Sequence, residues 1–253
     1  MTTHTLGIAA SVEFTKQRRG FGWFPIAGAV AAALLVASGW WSYARFAETF
    51  QAQQIAWVAI WGNTALLFGG FAMPILLCLH MAWSMRMEQL NGNIARLRAA
   101  GLLGRSLIAG KLAGALRASL ILSAELWLLY TLAGLSHGFR PDAEYARTLG
   151  YLLLGLLGGW STGCVLLLVA CLIRSFAVLM GVSVLAAMSG FAVVFAAPQA
   201  QWLWPFCQAS LGMHARDPLT LEPLPTVLFV VTNAVIVLAA AGLSGWLLGR
   251  RED

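Results

Sequence analysis

Charged side chains are scarce in this sequence. Asp, Glu, Lys and Arg make up 10% of its 253 residues, and 60% of the residues are hydrophobic, whereas ordinary soluble domains carry about 25% charged residues. Apolar runs of about 18 residues or more recur along the chain, and each can cross a hydrocarbon layer of about 30 Å as a helix. The runs lack the alternation of barrel strands. We therefore predict an all-α, polytopic integral membrane protein.

The sequence also lacks the motifs of metal, redox and nucleotide chemistry. Its four cysteines are scattered without CxxC spacing, so neither a disulfide framework nor a zinc site is predicted. Residues 104–112 are the nearest approach to a phosphate loop, but they end Gly110-Lys111-Leu112 without the Ser or Thr that would hold magnesium. No residue pair resembles a catalytic arrangement. We therefore expect neither an enzyme nor a nucleotide site on this chain.

Six hydrophobic helices are predicted. Their expected ranges are 23–44, 55–83, 107–135, 148–173, 176–197 and 225–248. Residues 1–22 form an amphipathic segment suited to the membrane interface, 23–249 a six-helix transmembrane domain, and 250–253 a short tail.

The basic residues predict that both termini are cytosolic. With the N-terminus inside, twelve of the sixteen Lys and Arg residues lie in cytosolic segments or their flanks, and four lie outside. The outer four are Arg45, Arg140, Arg147 and Arg216. Lys and Arg near spans are retained on the cytosolic side, and an even number of spans places both ends there as well.

The cytosolic stretch 86–106 is basic, amphipathic and interrupted by glycines. A helix with Leu90, Ile94 and Leu97 on one side and Arg96 and Arg98 on another could dock in a groove of a soluble partner. Alternatively, the stretch is a positively charged loop that only sets topology.

The arrangement resembles the type-2 ATP-binding-cassette (ABC-2) permeases. The residues that carry the resemblance are Glu88, Asn91-Gly92, Leu97, Arg105-Ser106 and Lys111 at the start of a span. The basic lead-in, the six spans and the tryptophan-rich segment between the last two spans extend it over most of the chain. Within the family, the chain is most similar to permeases of lantibiotic and bacteriocin self-protection exporters. Gly101 replaces a proline often found near the end of the family's coupling helix.

The resemblance implies a permease subunit of a bacterial cell-membrane exporter. Two permease chains, the same or related, would pair in the lipid with two copies of a separate ATPase, and ATP and Mg would bind only to that ATPase. Nucleic acid is not an expected partner. The implied coupling residues are Arg86, Glu88, Asn91, Gly92, Arg96, Arg98, Arg105 and Lys111.

The cargo implied by the resemblance is an antimicrobial peptide. A drug, a lipid or copper are alternatives, and so is a scaffold that holds a soluble partner without transport. Soft ligands such as Met73, Cys78, His80 and Met81 would suit copper, but they are ordinary packing residues in apolar helices. We therefore predict no metal site.

Two features are candidates for the transport path. Glu125 is an acidic residue well inside a span, where ionisable groups usually face a cavity or a partner. It could instead hold helices together, through Ser123 or through Asn63 or Thr64 on the second span. The outer segment 198–224, with Trp202, Trp204 and Pro205, is predicted to dip toward the core and act as a gate.

Other residues are predicted to shape the helices. Gly155, Gly159 and Gly163 recur every fourth residue, which allows another helix to approach closely, either within the subunit or across a dimer. Pro74, close to Gly69 and Gly70, is predicted to bend the second span.

Overall fold

The computed structural model describes residues 3–53, 55–90, 93–99, 105–173, 175–217 and 222–249. Asn91, Gly92 and the tail 250–253 lie outside these ranges, and the side chains of Arg98 and Arg105 are not described either.

The described chain is helical. Its α-helices are α1 (Thr3–Gly20), α2 (Phe24–Ala44), α3 (Ala47–Ala52), α4 (Ala56–Leu67), α5 (Met73–Gln89), α6 (Asn93–Ala99), α7 (Arg105–Ser136), α8 (Ala143–Leu172), α9 (Phe176–Ala196), α10 (Gln208–Gly212) and α11 (Pro223–Gly249). A π-helical turn, Phe68–Ala72, joins α4 to α5, and two 3₁₀ turns, Ala200–Trp202 and Pro205–Cys207, precede α10.

The six predicted spans are confirmed. Helices long and apolar enough to cross a membrane are Phe24–Ala44, Ala56–Gln89, Ser106–Ser136, Ala143–Leu172, Phe176–Ala196 and Pro223–Gly249. The second span runs six residues beyond its predicted end at residue 83. The fourth begins five residues before its predicted start, because the Asp142 carboxylate accepts a hydrogen bond from the Tyr145 backbone N–H at 2.8 Å and caps the helix.

A π-helical turn interrupts the second span where a bend is predicted. It contains Gly69 and Gly70, and Pro74 follows in the first turn of α5. Proline lacks the backbone N–H that would continue the regular ladder, and π turns are frequent at functional positions. Because a π turn holds more residues than an α turn, the side chains of α5 are rotated about the helix axis relative to those of α4.

Helix α8 lies at the centre of the bundle, where it packs against α5, α7, α10 and α11. The span formed by α4 and α5 is also mostly interior, whereas α2, α9 and α11 leave most of their surface outside the bundle. Leu34, Leu185 and Leu238 are among the exposed apolar side chains of these outer helices. Such side chains suit contact with lipid or with another membrane chain.

Helix α1 is a packed element of the bundle. It lies against α7, and the carboxylate-bearing Glu13 is only 4% exposed. This position brings polar residues of the N-terminal segment into contact with the ends of two spans.

Candidate functional site: a buried charge junction and the segment after the fifth span

Five polar residues meet where α1 crosses the ends of α5 and α7. They are Glu13 and Lys16 of α1, Ser84 and Glu88 of α5, and Lys111 of α7, and together they are called the charge junction here. Two carboxylates face two ammonium groups, so the charges balance. Burial of charge is tolerated when the groups are paired and hydrogen-bonded.

Lys111 is the centre of the charge junction. Lys111 is 1% exposed. Its Nζ lies 2.9 Å from Glu13 Oε2 and 2.9 Å from Glu88 Oε1. Nζ also donates to the Ser84 backbone carbonyl at 3.0 Å and to Ser84 Oγ at 2.9 Å. An ammonium group has three N–H donors, so every donor has an acceptor within reach although water is excluded.

Glu88 connects the junction to α6. Its carboxylate accepts from Lys16 Nζ at 2.6 Å and Lys111 Nζ at 2.9 Å, and its second oxygen accepts from Asn93 Nδ2 at 2.6 Å. Asn93 is the first residue of α6, the helix that lies within the predicted coupling stretch. One buried carboxylate, 0% exposed, therefore joins α1, α5, α6 and α7.

The predicted coupling residues include Glu88 and Lys111 but not their partners Glu13 and Lys16. A lysine at the start of an apolar run signals a nearby counter-charge, because an unpaired charge at such a position is costly. The signal did not indicate which of the chain's ten acidic residues would pair with it, since Glu13 lies 98 positions away.

The other described residues of the predicted coupling set are exposed. The Arg86 guanidinium lies over the Phe176 ring at 4.8 Å and the Trp83 ring at 5.9 Å, which links the end of α5 to the start of α9. Arg96 is exposed on α6. Its charge is therefore available to a partner.

His80 lies one and two helical turns before Ser84 and Glu88 and is 3% exposed. Its ring packs against Phe21 and Phe24, with centroid distances of 5.1 and 4.8 Å. The Cys78 thiol instead contacts the Met180 thioether sulfur at 3.9 Å. Within the described ranges, no group of three His, Cys, Asp or Glu side chains is arranged to hold a metal ion.

Glu125 faces α2. A Cβ atom added to Gly28 would lie 2.2 Å from Glu125 Oε2, so the carboxyl group occupies the space left by this glycine. Oε2 is buried and has no hydrogen-bond partner in the described part of the chain. A buried, unpaired carboxyl oxygen between two spans is a candidate for binding cargo or another chain.

The helix-holding partners considered for Glu125 are engaged elsewhere or unpaired. Asn63 donates to Ser38 Oγ at 3.2 Å, and Thr64 donates to the Leu35 carbonyl at 3.4 Å. Ser123 Oγ is buried without a partner among the described residues. The pairing of Glu125 with Asn63, Thr64 or Ser123 was therefore wrong. Asn63 and Thr64 bond to α2 instead, and no hydrogen bond joins Ser123 to the carboxyl group in the described part of the chain.

Residues 198–217, called the Trp-rich segment here, fold back against the bundle. The indole N–H of Trp204 donates to Ser189 Oγ on α9 at 3.2 Å, and the Pro205 carbonyl accepts from Thr162 Oγ1 on α8 at 2.7 Å. Trp202 and Phe229 contribute to the wall of a cavity of about 520 Å³ between this segment, the end of α9 and the start of α11. The cavity has both apolar and charged walls.

The three predicted packing glycines contact different elements of the same chain. A Cβ at Gly155 would lie 2.3 Å from Met213 Cγ in the Trp-rich segment, and one at Gly159 would lie 2.1 Å from Met73 Cε on α5. One at Gly163 would lie 3.2 Å from Ala115 Cβ on α7. This face of α8 is therefore occupied by packing within the chain.

The family model described as ABC-2 family transporter protein matches residues 9–197. The matched range, 189 of 253 residues, runs from α1 through the charge junction to the end of α9. The chain therefore belongs to the ABC-2 transporter family and is a multi-pass membrane component of an ABC transporter. Neither a curated protein nor a solved structure matches it.

Proposed function

We propose that this chain is the permease subunit of an ATP-driven exporter and is energised by a separate ATPase that docks on residues 86–106. The observation that carries the proposal is the position of Glu88. Its carboxylate binds Asn93 of α6, Lys111 of α7 and Lys16 of α1. A force applied to the short helix α6 would reach two other helices through one buried group.

Separating Glu88 from its charged partners is costly. Removing one member of a buried, hydrogen-bonded ion pair costs about 3–5 kcal/mol. Movement of α6 by a docked ATPase would reach Glu88 of α5 through the hydrogen bond from Asn93. Movement of Glu88 would then carry α1 and α7 with it, because its separation from Lys16 and Lys111 would leave unpaired buried charges. The contact of Arg86 with Phe176 would pass part of the motion to α9.

The proposed assembly has two permease chains and two ATPase copies in a bacterial cell membrane, with both permease termini in the cytosol. ATP and magnesium would bind to the ATPase alone. The proposed cargo is an amphipathic antimicrobial peptide, for which the resemblance to self-protection exporters and the tryptophan-rich segment are the support. A drug, a lipid or copper are the alternative cargoes for the same architecture.

The test separates docking from coupling. The chain is purified in mild detergent together with the ATPase encoded beside it, as wild type and as Arg96→Glu and Glu88→Gln variants. Arg96 is exposed, so its reversal should reduce recovery of the ATPase without unfolding the permease. Glu88→Gln keeps the shape of the side chain but removes its charge, so the ATPase should still bind while transport in vesicles falls.

The matched control is Arg45→Glu, an exposed arginine at the end of α2. It should leave both ATPase recovery and transport unchanged. If no ATPase associates with the wild-type chain under any condition, the exporter proposal is wrong. If the ATPase associates but neither peptide, drug, lipid nor copper is transported, the exporter proposal is replaced by the alternative that the chain is a scaffold for a soluble partner.

A further inference from the structure

The Gln208 side chain forms hydrogen bonds to several backbone carbonyls of the Trp-rich segment. This residue begins α10 and is 0% exposed. Its side-chain nitrogen Nε2 lies 2.9 Å from the Gln201 carbonyl oxygen, 3.1 Å from that of Trp202 and 3.0 Å from that of Trp204. The two N–H groups of the amide thus serve three carbonyls, two in the first 3₁₀ turn and one between the two turns.

The other end of the Gln208 amide is tied to two spans. Its Oε1 accepts from Asn233 Nδ2 on α11 at 3.0 Å, and Asn233 Oδ1 accepts from Ser161 Oγ on α8. All three side chains are 0% exposed. A polar relay therefore runs from the Trp-rich segment through α11 to α8 without contact with water.

Glycines on three elements allow the segment to sit this deeply. A Cβ added to Gly158 of α8 would lie 2.2 Å from the Gln208 carbonyl oxygen. One added to Gly190 of α9 would lie 2.4 Å from the Phe206 carbonyl oxygen, and one at Gly69 would lie 2.8 Å from Ser210 Cα. In each case the nearest atom belongs to the backbone, which cannot move away as easily as the end of a flexible side chain, so a larger residue would displace the segment.

Further hydrogen bonds tie the segment to the bundle at Pro205 and Met213. Thr162 of α8 donates to the Pro205 carbonyl at 2.7 Å, and the Trp61 indole of α4 donates to the Met213 carbonyl at 2.9 Å. The segment is thus attached to α4, α8, α9 and α11 at once. A hinged lid, in contrast, needs few buried contacts with its surroundings.

We propose that Gln208 is a positioning residue that holds the Trp-rich segment as an immobile part of the permease. The segment then serves as a rigid wall while cargo moves past it, and it does not open as a gate. This inference goes beyond the proposed function and does not depend on which ATPase or cargo is used.

The reactivity of Cys207, the neighbour of Gln208, can show whether the segment is closed or open. Its thiol is 0% exposed and lies 3.1 Å from the Gln201 carbonyl oxygen and 3.2 Å from that of Trp204. Burial raises the pKa of the Cys207 thiol to about 12. Maleimides react with thiolate, so the thiol should be unreactive while the segment is closed around it.

The experiment measures labelling by N-ethylmaleimide, which crosses membranes, in a variant whose Cys78, Cys164 and Cys171 are replaced by Ala. The reference is the exposed Ser136→Cys in the same background without Cys207. Cys207 should label on the order of 1000-fold more slowly than this reference, because a pKa near 12 instead of about 8.5 leaves that much less thiolate. The rate should stay low in resting membranes and in membranes energised with ATP.

Three variants then test the relay. Gln208→Leu should raise Cys207 labelling at least about tenfold, because the shared amide that holds the segment is lost. Ser161→Ala removes the hydrogen bond to Asn233 Oδ1, and Thr162→Ala removes the one to the Pro205 carbonyl. Each leaves the Gln208 amide in place and should raise the labelling rate less. Size-exclusion profiles identify variants that fail to fold, and if Gln208→Leu is among them the two milder variants carry the comparison.

Two results would overturn the proposal. The first is labelling of wild-type Cys207 at a rate comparable to Ser136→Cys, at rest or during turnover, which would mean that the segment opens. The second is that no folded relay variant labels faster than wild type, which would remove Gln208 from the positioning role. If the ATPase does not associate at all, the resting measurements still decide the inference while the exporter proposal fails separately.

Discussion

Lys111 Nζ and Glu88 Oε1 lie 2.9 Å apart, and both side chains are withdrawn from solvent, at 1% and 0% exposure. The two residues end one apolar span and begin the next, with the undescribed part of the 86–106 stretch between them. Their contact, completed by Glu13 and Lys16 of α1, makes the N-terminal helix part of the base of the permease.

Loss of Lys111 should destabilise the permease far more than loss of Lys16. Lys111→Met leaves Glu13 and Glu88 facing each other without a buried cation, at a cost of about 3–5 kcal/mol. The Lys16 side chain is 31% exposed, so water can replace it, and Lys16→Met should cost about 1 kcal/mol or less. Thermal unfolding in detergent, followed by size exclusion, measures both. Equal losses would show that the junction is not held by Lys111.

Gly28→Ala should be destabilising through a contact with Glu125. The added methyl group would lie 2.2 Å from Glu125 Oε2 and 2.7 Å from Leu122 Cδ2. Glu125→Ala should therefore relieve part of the damage, and the two changes should be non-additive in a double-mutant cycle. Thermal stabilities of the four proteins give the coupling. Strict additivity would place the carboxyl group away from Gly28.

Glu125→Gln should keep the protein in the membrane but reduce export. The uncharged amide retains the volume beside Gly28 and alters the ionisable group that lies between two spans. Transport assays at matched membrane levels measure the effect, and Glu48→Gln, at an exposed position on α3, is the control. Unchanged export by a well-expressed Glu125→Gln protein would remove this residue from the transport path.

Gly158→Ala should be more damaging than Gly163→Ala. The new Cβ at position 158 would lie 2.2 Å from the backbone oxygen of Gln208, whereas at position 163 it would lie 3.2 Å from Ala115 Cβ. Overpacking against backbone should cost about 1–3 kcal/mol or more, and the milder contact should cost less. The midpoints of thermal unfolding rank the two variants. The opposite order would contradict the close approach of α10 to α8.

The charge distribution predicts the topology directly. In a cysteine-free background, Arg96→Cys on α6 should react with an impermeant maleimide only after the cells are opened, whereas Ser136→Cys at the end of α7 should react in intact cells. Both positions are exposed, so access to the reagent is the only difference. Labelling of Arg96→Cys in intact cells would reverse the predicted orientation.

Composition and run length alone determined that this is a six-span helical membrane protein. Backbone groups in lipid must be satisfied within a helix, so the positions of apolar runs translate directly into spans, and the six predicted ranges each overlap one. The resemblance to the family was also found from the sequence, in local residues around Glu88 and Lys111. These properties depend on short stretches of sequence, where spacing along the chain is spacing in the structure.

Only the tertiary structure decided which polar groups meet. Glu13 and Lys111 are 98 positions apart, and Gln208 reaches Asn233 across 25. The sequence placed each of these groups in or near an apolar run but could not choose its partner, because several packings satisfy the same helical periodicity. Buried polar groups select one packing when all their hydrogen bonds can be made at once, and that condition exists only after the helices have come together.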